Sequence, residues 1–142
     1  MVTAVLTVKE LEELLAAEFP QVFFPGCGLS IEKASPQGAR VRQAYSSGMI
    51  RPGGTISGPT MMALADFAMY AAVLAAIGAV PLAVTINLNI NFLRKPDPGD
   101  LIGEGRLMKL GKTLAVGDFT IRSDGAAEPV AHATLTYAIP SR

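Results

Sequence analysis

"SGPTMMALADFAMYAAVLAAIG", residues 57–78, decides the fold. Ser57 can cap a helix, and Pro59 fits its first turn, where the N–H it lacks would have gone unpaired. From there to Ile77 the pattern is apolar on nearly every side, with small residues at Ala68, Ala71, Ala72, Ala75 and Ala76. A helix with that pattern is enclosed by other structure. Its one charge is Asp66, the only charged residue between Thr55 and Leu93. Burying a carboxylate penalises its charged form unless a partner compensates, so the placement needs a reason. The length also suits a membrane span. Against that, Asp66 interrupts it, Gly78 and Pro81 break its second half, and no Lys or Arg flanks it closely.

Downstream, "AVTINLNINF" (83–92) alternates Val84, Ile86, Leu88, Ile90 and Phe92 with Thr85, Asn87, Asn89 and Asn91. This is a strand with one core face and one polar, uncharged face suited to a hydrogen-bonded partner. "RKPDPGD" turns the chain, and strands follow near 101–110, 113–123 and 130–139, joined by "LGKT" and "SDGAAE". Those four strands are expected in meander order. Upstream, "TVKE" has capping-box spacing, with Glu10 three residues after Thr7; Leu11, Leu14 and Leu15 form a stripe that Pro20 ends. Short strands are expected near 29–34 and 39–45. "SSGMIRPGGTISGP" (46–59) reads as a long structureless loop of the kind that is often functional. The pattern is α+β: a curled antiparallel sheet around a long apolar helix. One domain is expected over 1–142, with 1–28 as N-terminal helix and linker and 29–142 as the core.

Of the 142 residues half are hydrophobic and only 17% charged, which points to an oligomer that covers apolar surface. Acidic and basic residues balance at twelve each, so no global field attracts nucleic acid. Cys27 is alone and cannot form an intramolecular disulfide. The N-terminal stretch has acids where a secretory signal keeps an apolar run, so a cytoplasmic location without membrane attachment is expected. No cluster has metal-ligand spacing.

Residues 57–73 and 84–113 together resemble the hotdog-fold acyl-CoA thioesterases of the phenylacetate-pathway type. That family carries His-Gly-Gly, a short apolar run and Leu-Ala-Asp on the central helix. A strand ending in Asn-Phe-Leu-Arg-Pro and a Pro-Gly-Asp turn come next. The resemblance covers roughly residues 38–139. It puts Gly58 on the first family glycine, Asp66 on the catalytic acid and Thr85 on a small hydroxyl position. Ser57 stands where the family has histidine, Pro59 where it has the second glycine, and Arg51 where an asparagine is common. The resemblance implies hydrolysis of acyl-CoA to a carboxylate and CoA at a site between subunits of a dimer or tetramer. CoA is then part of the substrate, and no cofactor is needed. Ser57, Pro59 and Arg51 motivate the alternative of a non-catalytic acyl-CoA or fatty-acyl binding protein. Dehydratases of this fold resemble an Asp followed five residues on by His; that place is Ala71 here.

Thioester hydrolysis needs a carboxylate to attack or to activate water, and donors for the developing oxyanion. Asp66 is the candidate acid; its bland alternative is a carboxylate capping a loop or paired with Arg51. Gly58, at a helix N-terminus, is the candidate oxyanion donor, or else simply permits a tight entry to the helix. Eight helical residues separate them by about 12 Å along the axis, too far to serve one carbonyl, so Asp66 would work with Gly58 of another subunit. Thr85 could orient Asp66 or a water, or only pack. Arg51 and Ser57 are candidate substrate contacts, and Ser57 is also a helix cap. Arg94 and Lys95, with Lys109 and Lys112, are candidate contacts for CoA phosphates or ordinary surface charges. Met61, Met62, Phe67, Met69 and Tyr70 line an acyl pocket or belong to the core. His132, the sole histidine, reads as structural.

Overall fold

The structure is a computed structural model and describes residues 4–141. Helix α1 (Val8–Glu18) starts at the expected capping box: Glu10 N–H donates to Thr7 Oγ1 at 3.1 Å, and Thr7 N–H donates to Glu10 Oε1 at 3.0 Å. Its stripe buries Leu11 and Leu15. Strands β1 (Leu29–Ala34) and β2 (Gly38–Gln43) form a hairpin. On the far side of β1, Glu12 accepts the Ile31 N–H at 2.9 Å, occupying an otherwise free edge donor.

The segment expected to be structureless is instead a short 3₁₀ turn (Ser47–Met49) followed by a tight reversal. Arg51 N–H donates to Thr55 O at 2.9 Å, Ser57 N–H to Met49 O at 2.9 Å, and Gly53 and Gly54 take positive φ at the tip. Backbone hydrogen bonds supply the order that the side chains do not predict.

Helix α2 (Gly58–Ile77) follows as expected, capped by Ser57 and buried from Leu64 and Ala65 through Ala75 except at Asp66. Among the described residues it is the one helix long and apolar enough to cross a membrane, and the sheet covers it. Strands β3 (Val84–Phe92), β4 (Leu101–Leu110), β5 (Leu114–Ser123) and β6 (Pro129–Ala138) complete one antiparallel sheet in the order β1-β2-β4-β5-β6-β3. The sheet wraps α2 in the hotdog arrangement. Gly117 lets the helix lie close, because a Cβ there would sit 2.7 Å from Met69 Sδ.

Two expectations about β3 are corrected. The meander holds for β4, β5 and β6, but β3 lies beyond β6, and the 93–100 connection crosses the end of the sheet. That connection is too long for a hairpin and is pinned elsewhere, with Ile56 N–H donating to Pro96 O at 2.9 Å. The apolar residues of β3 also do not form one core face. β3 is an outer strand, and a bulge at Ile86 shifts its register against β6. Val84 and Ile86 are therefore 55% and 56% exposed, and Phe92 is exposed as well.

Candidate active site

The bulge at Ile86 places the first site residue. By simple alternation Thr85 would share the face of Asn87, Asn89 and Asn91. An inserted residue reverses the phase of a strand, so Thr85 pairs with Tyr137 and Leu88 with Leu135, both inward-facing partners. Thr85 thus points at α2. Its Oγ1 donates to Asp66 Oδ1 at 2.6 Å.

Tyr137 on β6 reaches the same carboxylate. Its hydroxyl lies 2.7 Å from Asp66 Oδ1 and 3.0 Å from the Asp66 carbonyl oxygen. Burial, and then the Asp66 charge, push the Tyr137 phenol well above its ordinary range, so it remains a donor. Asp66 is therefore held by two hydroxyls, not by Arg51 and not as a loop cap. It is half-buried rather than fully buried.

Its two oxygens are unequal. Oδ1 takes both hydroxyl bonds, and Oδ2 takes none among the described residues. Every fully buried side-chain polar atom there has a partner, so the unpartnered Oδ2 is accessible. Asp66 helps line a cavity of about 390 Å³. Phe19, Phe67, Tyr70 and Tyr137 supply aromatic walls, and Glu18, Val22, Pro81 and Thr85 contribute at the edges. Tyr70 meets Phe19 edge-on at 5.7 Å between centroids, and its hydroxyl is spent on Pro81 O at 2.7 Å. Burial, and then the Glu18 charge, raise the Tyr70 phenol above its ordinary range.

Gly58 lies at the tip of the same helix and is not among the cavity's walls. Few N-terminal donors remain there. Pro59 has none, Thr60 N–H donates to Ser57 Oγ at 3.4 Å, and Met61 N–H donates to Ser57 O at 3.4 Å. The Gly58 N–H meets no acceptor among the described residues. A Cβ at Gly58 would come 3.3 Å from the Phe92 ring, so the far end of β3 packs against this tip.

The remaining candidates are dispersed. Ser57 is a helix cap, with its Oγ also 2.9 Å from Thr60 Oγ1. Arg51 is exposed at the tip of its reversal and donates to Pro52 O at 3.2 Å. Met61 and Met69 are core, Met62 is exposed, and only Phe67 and Tyr70 of that group reach the cavity. Arg94 pairs with Glu128 at 2.9 Å and donates to Pro129 O at 2.8 Å, beside the exposed Lys95. His132 faces outward from β6, 3.9 Å from Asp118.

Tyr137 and the wall residues at and just after the end of α1, Glu18, Phe19 and Val22, are among those sequence reasoning missed. The signal for Tyr137 was its place on the face of β6 that carries Ala131, Ala133 and Leu135, where its hydroxyl is the one side-chain polar group.

The sequence profile of the thioesterase superfamily matches residues 53–130. A provisionally assigned esterase of Saccharolobus solfataricus is 31% identical over 134 residues, spanning 94% of this chain and 86% of that protein. The crystal structure of a provisionally assigned thioesterase from a Silicibacter species is 46% identical, with a TM-score of 0.86, and the match covers 96% of this chain and 94% of that one. Zebra fish thioesterase superfamily member 2 shares the fold at 19% identity and a TM-score of 0.81, over 95% of this chain and 99% of that one. From the sheet-wrapped helix and a profile match across more than half its length, the chain belongs to the thioesterase superfamily.

Proposed function

We propose that this protein hydrolyses acyl-CoA thioesters to a free carboxylate and CoA at a site shared by two copies of the chain. The observation that carries this reading is the asymmetric Asp66 carboxylate in the wall of an aromatic-lined cavity, anchored through Oδ1 while Oδ2 has no partner among the described residues. Anchoring one oxygen fixes the direction of the other, which is what a general base or nucleophile requires. In the general-base form, Oδ2 takes a proton from water as that water adds to the thioester carbonyl. The tetrahedral oxyanion accepts the Gly58 N–H of a second copy. Collapse breaks the C–S bond and releases CoA thiolate, which takes up a proton. The reaction draws on no cofactor.

The pairing of copies has a geometric basis. Thr85, near one end of β3, contacts Asp66; Phe92, at the other end, packs over Gly58. An antiparallel match of two β3 edges centred between Leu88 and Asn89 sets Thr85 of one copy opposite Phe92 of the other. Each Asp66 then approaches the other copy's Gly58, across the roughly 12 Å that separates them within one helix. Exposed Val84 and Ile86 would be covered in the same step. We place such a dimer, or a tetramer of two dimers, in the cytoplasm.

A second reading, an acyl-CoA binding protein without turnover, draws on Ser57. Its hydroxyl is committed to the helix cap, and Arg51 points into solvent. Thiol release from a panel of short, long and aryl CoA esters separates the two. The hydrolase reading expects turnover that falls at least about 100-fold in Asp66→Asn, the usual loss when a positioned acid–base group is removed. Full activity in a folded Asp66→Asn protein would sink it, and tight binding without any thiol release would favour the binding protein.

A further inference from the structure

A second apolar cavity, of about 310 Å³, is lined by Ala16, Phe23, Phe24, Pro25 and the Gly26–Leu29 turn. The two share no wall residue. They meet at a pair of stacked rings: Phe67 lines the Asp66 cavity, Phe23 lines the other, and their centroids are 5.9 Å apart with planes 10° from parallel. Phe67 is fixed on α2, buried in the core. Phe23 is held differently. It sits in the turns after α1, where its N–H donates to Phe19 O at 2.9 Å, and it is only half-buried.

We propose that the Phe23–Phe67 stack is the end wall of the acyl pocket and sets the longest acyl chain the protein accepts. This rests on the reading of the Asp66 cavity as the acyl site. A cavity near 150 Å³ holds one six-carbon ring, or about 25 Å³ per carbon. On that scale 390 Å³ seats fewer than about fourteen carbons once the carbonyl, sulfur and attacking water are in place. Across the stack, Phe23 also lines another 310 Å³ of apolar space. The wall also selects against charge. No Lys or Arg lines the first cavity, while Glu18 and Asp66 do, so acyl groups ending in a free carboxylate are disfavoured. Residues 18–23 lie outside the 53–130 stretch that the superfamily profile matches. The chain-length limit is thus imposed by the N-terminal segment on a shared catalytic core.

The test is a binding series that does not depend on turnover. S-alkyl-CoA thioethers from C4 to C16 are titrated calorimetrically into the full-length protein, alongside hydrolysis of the matching acyl-CoA esters. For the unmodified protein, affinity rises about fourfold per methylene and stops rising below C14. In Phe23→Ala the rise continues through C16, so the C16:C8 affinity ratio grows at least about tenfold. Phe23→Leu keeps an apolar side chain in the wall, guards against a folding defect, and moves the limit by fewer carbons. A Phe23 that only supports packing would weaken all lengths equally, and an unchanged C16:C8 ratio in both variants overturns the proposal. Thiol release with the same length limit in all three proteins would overturn the end wall and leave the hydrolase reading standing. A limit that moves in the thioether series with no ester hydrolysed would support the wall and overturn the hydrolase reading.

Discussion

At the scale of single residues, the site is a matter of which atoms have partners. A carboxylate in an apolar helix is costly, and two hydroxyls offset that cost on one oxygen only, leaving the other without a partner among the described residues. Tyr137 performs this role because it stays protonated. Its phenol is raised above the ordinary value of about 10 by burial and by Asp66, so it favours the folded state fully below pH 10. As pH climbs past 10 the unfolded chain loses that proton first, and stability declines. Tyr137→Phe should therefore lower the melting temperature at pH 7 by removing a charge-assisted bond worth about 1.5–3 kcal/mol. It should also make the decline above pH 10 shallower. Melting curves between pH 7 and 11 check both, and parallel slopes for the two proteins would contradict the assignment.

At the scale of elements, β3 joins several properties. Its bulge turns Thr85 toward the helix, its outer position leaves Val84 and Ile86 exposed, and its two ends contact Asp66 and Gly58. A lysine on an edge strand opposes strand addition while costing an exposed position little. Ile86→Lys should consequently keep the protomer within about 0.5 kcal/mol of its stability and yet reduce the proposed dimer to single copies. Light scattering reports the mass and thiol release the activity, and both should fall together. An Ile86→Lys monomer with full turnover would show that no second copy completes the site. The helices were legible beforehand for a local reason. Capping boxes, prolines in first turns and apolar periodicity act within a few residues, so Thr7, Glu10, Ser57 and Pro59 announced α1 and α2.

At the scale of the whole molecule, Arg42 ties distant segments on the outer face of the sheet. It meets Glu32 at 2.6 Å, Asp100 at 3.1 Å and Asp124 at 2.8 Å, joining β1, the start of β4 and the β5–β6 turn. Its hydrogen bonds hold the Glu32 and Asp124 carboxyls below their ordinary range. Such groups lend stability above about pH 4 and lose it as pH drops through their lowered values. Arg42→Gln should flatten the acid side of the stability profile below pH 4 and make it less sensitive to salt. An unchanged acid limb in denaturant titrations at pH 2–5 would count against the network. The chain's local pattern was enough for the enclosed helix, the capped ends, the hairpin turns and an acid at Asp66, because each depends on neighbours within a few positions. Tertiary structure alone decided that β3 lies beyond β6, that Ile86 bulges, that Tyr137 completes the Asp66 anchor, and that Phe23 stacks on Phe67 from a segment more than forty residues away. Those outcomes arise from pairing between remote strands and from packing across the core, where the competing registers differ by contacts that no short stretch of sequence contains.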